Sequence, residues 1–220
     1  MKLAVTFTLS ALVLAGCGDS GGTGPSTTGP DAATVDVVAT DAAVDNAPAT
    51  DTAPANVYPA GPYGSRTCAR FQPFTLNTCD GTPWRFDQDD FFTSEATVVI
   101  IGAGWCVPCQ MEARQIETEL GPYRDRGVRI VQVLVQNPDR TAITGAFCNT
   151  WVSRYGLTIP ELMDPEQALQ PYYPGLAFPG NLIVDRRGLI RYRAYGTETG
   201  LTAIKAALDD VLANPTTCTP

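Results

Sequence analysis

Residues 102–109 read GAGWCVPC. Cys106 and Cys109 stand two residues apart, with Trp105 in front and Pro108 between them. Three chemistries use a pair at this spacing: half of a zinc site, a structural staple, or a redox centre. A zinc site needs four ligands, commonly two such pairs, whereas the other cysteines here are single and scattered and there is no histidine. A bridge across a two-residue gap closes a tight ring, and strained disulfides are the more easily reduced ones. That property suits a redox centre and not a staple. The absence of histidine also removes Ser-His-Asp and Cys-His catalysis and any imidazole acid or base. Chemistry is left to thiols, carboxylates and backbone groups.

The flanking pattern positions the pair. Residues 97–102 (TVVIIG) form a β-branched run, as expected of a strand buried on both faces. Residues 108–120 read as a helix closed by Gly121-Pro122. The pair therefore falls at the first turn of a helix, where unpaired N–H groups and the dipole favour an anion. Cys106 is the expected nucleophilic thiolate, with a lowered pKa. Cys109, one turn further in and less exposed, is the expected resolving thiol. Cys106 would attack a disulfide, a mixed disulfide would form, and Cys109 would release the reduced substrate. Around this unit, residues 71–76 and 83–86 read as a β-hairpin turning at Asp80-Gly81. Residues 128–135 read as a second buried strand and 141–155 as a helix stopped by Gly156. Residues 182–185 and 189–195 form a second hairpin around Arg186-Arg187-Gly188, and 199–213 an amphipathic helix. The order is hairpin, β-α-β-α, hairpin, helix, and the alternation implies a parallel central sheet with right-handed crossovers.

Gly104 to Cys109 resembles the WCxPC site of thioredoxins, and its surroundings resemble the extracytoplasmic TlpA/ResA-type thiol-disulfide oxidoreductases, related to AhpC/TSA proteins. The likeness runs over about residues 63–213. It includes the hairpin FQPFTLNTCDGTPWRF, Glu112 three residues after Cys109, and the segment FPGNLIVD beginning at Phe178. It implies an α/β, thioredoxin-like fold: a central mixed β-sheet flanked by helices, with an added N-terminal β-hairpin and a central β-α insertion. It also implies that Pro179 is a cis proline beside the cysteines, presenting backbone to a peptide. Glu112 is implied as a proton acceptor near Cys109 with a pKa raised by partial burial, and Trp105 as a docking surface. Two departures stand out. The buried Asp that thioredoxins carry in the preceding strand is replaced by Ile100 or an apolar neighbour, leaving Glu112 as the nearby carboxylate. Ala113-Arg114 stand where the family often has a proline, so the helix is expected to lack the usual kink. With no His between the cysteines, a reductase is expected rather than a strong oxidant. Protein disulfides of the bacterial envelope are the implied substrates, with a membrane thiol donor behind them and no cofactor. The alternatives are a peroxiredoxin-like thiol peroxidase, for which Ala103-Gly104-Trp105 lacks the required Thr, and a non-catalytic binding lipoprotein.

The N-terminus addresses the compartment. MKLAVTFTLSALVLAGC has one Lys and an apolar run too short for a comfortable membrane span. Leu14-Ala15-Gly16-Cys17 resembles a bacterial lipobox, with residues 1–16 as signal peptide and Cys17 as the lipidated residue. The acyl chains would hold the protein on a membrane at about 0.8 kcal/mol per buried CH₂. Residues 17–60 read as a disordered acidic tether, since 18–55 carry six aspartates and no aromatic, Lys or Arg. Residues 61–220 form the folded domain. A net charge of −8 speaks against nucleic acid as a partner, and a monomer is expected. Cys68, Cys79, Cys148 and Cys218 remain, an even number that suggests two structural disulfides. Cys68 and Cys79 flank one extended strand and lie too far apart to join at about 3.3 Å per residue. Each should therefore pair with Cys148 or Cys218, in either of two arrangements.

Overall fold

In the computed structural model the described residues are 56–196 and 201–218. The signal segment, the lipidation candidate Cys17 and most of the 17–60 tether lie outside them. No helix of the described residues is long and apolar enough to cross a membrane.

The hairpin forms as β1 (Thr75–Thr78) and β2 (Pro83–Arg85), with Thr75 opposite Arg85. It is shorter than the apolar pattern suggests, and Gly81 takes the left-handed φ of +87° that the turn needs. A one-turn helix α1 (Asp89–Thr93) leads into β3 (Ala96–Gly102). All seven residues of β3 are buried, as are all seven of β4 (Val128–Leu134). β5 (Glu161–Met163), β6 (Gly180–Asp185) and β7 (Ile190–Tyr195) complete a seven-stranded sheet of order β2-β1-β5-β4-β3-β6-β7. β3, β4 and β5 run parallel, and every other pair is antiparallel. The sheet is therefore mixed, and only its centre matches the parallel sheet that strand-helix alternation suggests. β5 is not apparent in the sequence, because three residues between Pro160 and Asp164 carry too little pattern to register.

The helices depart from expectation at their ends. The helix after the cysteines is not continuous from 108 to 120: α2 (Val107–Ala113) stops, a wide turn covers Ile116–Leu120, and α3 (Gly121–Arg124) follows. The break occurs without a proline. The Gln115 N–H donates to Glu112 O three residues back, at 2.8 Å, which tightens the backbone before it widens. Gly121-Pro122 opens α3 instead of closing α2, since a proline in a first helical turn has no N–H to lose. α4 (Gly145–Tyr155) begins four residues later than its pattern, because Asn137 and Asp139 tie residues 137–144 into a turn by side-chain bonds. Thr144 caps it by accepting from the Phe147 N–H, and Gly156 ends it at φ +63°. α5 (Thr202–Ala213) packs Ile204, Leu208 and Val211 inward. Its expected start at 199 lies outside the described residues.

Two disulfides staple this frame, Cys68–Cys218 and Cys79–Cys148. The first ties the C-terminal segment to the strap before β1, and the second ties the end of β1 to the first turn of α4. Six buried polar residues sit inside the strands: Thr97, Arg129, Gln132, Glu161, Asn181 and Asp185. Arg129 donates to Thr97 Oγ1, Asp90 Oδ1 and Phe86 O, and Gln132 Oε1 accepts from Trp151 Nε1 at 3.0 Å. Glu161 is different: it is 4% exposed and neither carboxyl oxygen has a partner among the described residues.

Two predictions follow from this frame. Cys68–Cys218 closes a span of 150 residues, so the double substitution Cys68→Ser, Cys218→Ser should lower stability by about 2–5 kcal/mol in urea titration. Burial pushes the carboxyl of Glu161 well above the usual carboxylate range. The fold then holds a proton that the unfolded chain releases. Its stabilising effect is complete below the unfolded pKa and is lost as pH rises towards the folded one. Glu161→Gln should therefore unfold at a higher urea concentration than the parent at pH 7, and the gap should narrow at pH 4; an equal gap at both values would refute this.

Candidate active site

The site is built where β3 ends. The chain leaves Gly102, turns through Ala103-Gly104-Trp105, and enters α2 with Cys106 as the N-cap residue. Cys106 N donates to Ala103 O at 3.0 Å, and Cys106 Sγ accepts from the Cys109 N–H at 3.1 Å. The Cys106 sulfur thus occupies the place of a capping oxygen, with a helix N–H directed at it. Cys106 and Cys109 are joined, with Cα atoms 5.3 Å apart. The expected contrast in exposure is small, since Cys106 is 3% and Cys109 1% exposed. Val107, between them, and Met111, one turn on, are exposed apolar side chains beside the pair. Among the described residues no group of three or more Cys, Asp or Glu is placed to hold a metal ion.

Strand register brings the second segment to the pair. β6 runs antiparallel to β3 with Ile101 opposite Gly180. Pro179 consequently arrives level with the point where the chain leaves β3 for the cysteines. The Phe178–Pro179 bond is cis, as the family resemblance implies, and Pro179 O accepts from the Gly196 N–H at 2.9 Å. Asn181, two residues along the same face, donates from Nδ2 to Glu112 Oε1 at 2.9 Å. Glu112 is buried, so it is no surface residue of α2. Its partner Asn181 lies opposite Ile100, the apolar residue read as standing where thioredoxins have an acid. The polar group beneath the helix is thus supplied from α2 and β6 rather than from β3.

Trp105 is held on three sides. Its Nε1–H donates to Gln136 Oε1 at 2.8 Å, its ring meets Phe178 edge-on at 5.9 Å, and the Arg140 guanidinium lies 4.0 Å from its centroid. The site also takes in Gln136, Arg140, Phe178 and Asn181, to which the sequence assigns no roles of their own. Gln136, the first polar residue after the apolar run 133–135, and Phe178, directly before Pro179, carried the available signal. Asn181 lies within the FPGNLIVD segment, which gave it no role of its own, and Arg140 carried no signal. The remaining cysteines pair away from the site, as Cys68–Cys218 and Cys79–Cys148.

Two glycines make the close packing possible. A Cβ on Gly102 would lie 3.2 Å from Cys109 Sγ, and one on Gly104 would lie 2.6 Å from the Phe147 ring and 2.9 Å from Pro138 N. Gly104→Ala should therefore cost about 1–3 kcal/mol in urea titration and weaken the Trp105 contacts, read as a shift in tryptophan fluorescence. Gly121→Ala, whose Cβ meets nothing nearer than 3.7 Å, is the control and should leave both unchanged or slightly raise stability.

A model of the AhpC/TSA family matches residues 69–193. The thiol-disulfide oxidoreductase ResA of Geobacillus kaustophilus is 29% identical over 96 residues, covering 43% of this chain and 51% of that protein. ResA of Halalkalibacterium halodurans is 28% identical over 86 residues, covering 39% and 46%. The chain thus spans about half the length of these relatives. Among solved structures, a putative thiol:disulfide interchange protein DsbE from Chlorobium tepidum superposes with TM-score 0.56 at 16% identity, covering 67% of this chain and 98% of that one. A hypothetical protein from Sinorhizobium meliloti superposes with TM-score 0.58 at 21% identity, covering 74% and 92%. These likenesses show a thioredoxin-like α/β fold. The matched segment runs from the strap before β1 into β7 and takes in both Cys106 and Pro179, and the chain belongs to the AhpC/TSA family.

Proposed function

We propose that this chain is a thiol-disulfide oxidoreductase that reduces protein disulfides in the bacterial envelope. The observation that carries the reading is Cys106 at the cap of α2, its sulfur accepting a helix N–H. A thiolate at that atom gains from the same N–H and from the helix dipole. Cys106 attacks the substrate disulfide and one substrate sulfur leaves. Cys109 then attacks Cys106, releasing the second substrate sulfur as a thiolate and restoring the Cys106–Cys109 bond. The substrate loses its disulfide and the enzyme pair is oxidised, so each turnover needs a dithiol donor, taken here to be a membrane protein. Pro179 presents backbone to the incoming peptide, Trp105 with Val107 and Met111 forms the apolar rim it meets, and Glu112 takes the Cys109 proton. The names of the ResA relatives support this chemistry. A lipid on Cys17 and the 17–60 tether would keep the domain at the membrane surface, and the chain would act as a monomer.

The test is a redox titration of the Cys106–Cys109 pair together with an insulin-reduction assay. A potential near that of thioredoxin, about −270 mV, is expected, with loss of reduction in Cys106→Ser and trapped mixed disulfides in Cys109→Ser. A potential near −120 mV would reverse the direction of electron flow. A pair that thiols cannot cycle would remove the enzyme reading altogether.

A further inference from the structure

The Cys79–Cys148 bridge lies outside the site just described, yet its surroundings are not those of a simple staple. Cys79 is half-buried at the end of β1, whereas Cys148, in the first turn of α4, is fully buried. A shallow recess lined by Cys79, Asp80, Asn149, Val152, Ile159 and Glu161 opens beside the bridge. Glu161 is 4% exposed and both its carboxyl oxygens lack a partner among the described residues. Strand pairing shows where it faces. Glu161 is the cross-strand partner of Gln132, and Gln132 receives a hydrogen bond from Trp151 of α4. The Glu161 side chain therefore lies on the α4 face of the sheet, under the helix that carries Cys148. On the other side β5 pairs with β1, Leu162 opposite Thr78, which sets Cys79 beside Glu161; Cys79 Sγ is 3.8 Å from Glu161 O.

We propose that Cys79–Cys148 is a second thiol–disulfide exchange site, attacked at Cys79 by a dithiol and supplied with a proton by Glu161. One thiolate of the dithiol attacks Cys79 Sγ, the Cys79–Cys148 bond breaks, and the electron pair leaves on Cys148. That sulfur is fully buried on the face of the sheet that Glu161 shares, and the protonated carboxyl of Glu161 neutralises it. The second thiolate of the dithiol then attacks the mixed disulfide and releases Cys79, which takes its proton from solvent, as Glu161 later does. The dithiol is oxidised to a disulfide and the pair is reduced by two electrons. An uncompensated carboxylate is costly to bury, so a neutral, proton-bearing acid is the form this setting selects, and burial raises its pKa accordingly. The opened pair would also be felt at the active site. Phe147, next to Cys148, is packed so tightly on Gly104 that a single added carbon there would overlap its ring. Exchange at Cys79 does not depend on Cys106–Cys109 being active.

The experiment uses the full chain carrying Cys106→Ser and Cys109→Ser, so that Cys68–Cys218 is the internal control. Limiting dithiothreitol is added at pH 7 under native conditions, and free thiols are alkylated with time and mapped by peptide mass spectrometry. Cys79 and Cys148 should be labelled about 10-fold or more faster than Cys68 and Cys218, and Glu161→Gln should slow the first pair about 10-fold or more while leaving the second unchanged. Glutathione alone should leave its adduct on Cys79, a readout that needs no change at Glu161. Equal rates for the two bridges, labelling only in step with loss of circular dichroism, or an adduct on Cys148 would overturn the exchange site. An unchanged rate in Glu161→Gln would overturn the role of its carboxyl.

Discussion

The antiparallel register of β6 against β3 is the constraint on which the rest of the site depends. With Ile101 opposite Gly180, Pro179 arrives level with the exit of the chain from β3, and Asn181 arrives beneath α2. A slip of one residue would turn Asn181 to the other face of the sheet and carry Phe178 away from Trp105. The register is held by apolar side chains buried along both strands, so the precision of the site is a product of the core. Gly102 and Gly104 then let the helix and its loop settle onto the strand ends at distances that a side chain would forbid.

The interior is less uniformly apolar than its strands suggest. Arg129 has three oxygen acceptors and three aromatic rings around it. Gln132 meets Trp151, and Glu112 meets Asn181. Each of these polar side chains has a partner delivered by another element, which is the condition under which burial of such groups is tolerated. Neither carboxyl oxygen of Glu161 has such a partner among the described residues, and Glu161 lies beside a disulfide.

The segment between β4 and α4 links the Cys106–Cys109 and Cys79–Cys148 pairs. Asn137 binds Ala142 O through Nδ2 and the Thr144 N–H through Oδ1, fixing the start of α4. From the same segment Gln136 and Arg140 reach Trp105, Arg140 at a left-handed φ of +68°. The helix that holds Cys148 and the loop that precedes Cys106 are therefore parts of one packed unit.

Much of this was legible in the chain itself. The spacing of Cys106 and Cys109 after a buried strand singled out the pair proposed here as the redox centre, and the β-branched runs identified the two central strands. The family resemblance of FPGNLIVD implied the cis proline, and Gly81, Gly156 and Gly188 marked turns that need a left-handed residue. The cysteine spacing, strands and turns are local: they depend on neighbours within a few positions, so composition and period reveal them. Several features were not legible: the choice between the two crossed disulfide pairings, the three-residue β5, the break after α2, the Glu112–Asn181 pair, and the clasp of Gln136, Arg140 and Phe178 on Trp105. Each joins residues far apart in the chain, or depends on backbone bonds that side-chain pattern does not encode. The sequence by itself determined which atoms can do chemistry; which partners surround them was decided only when the sheet closed and set distant segments side by side.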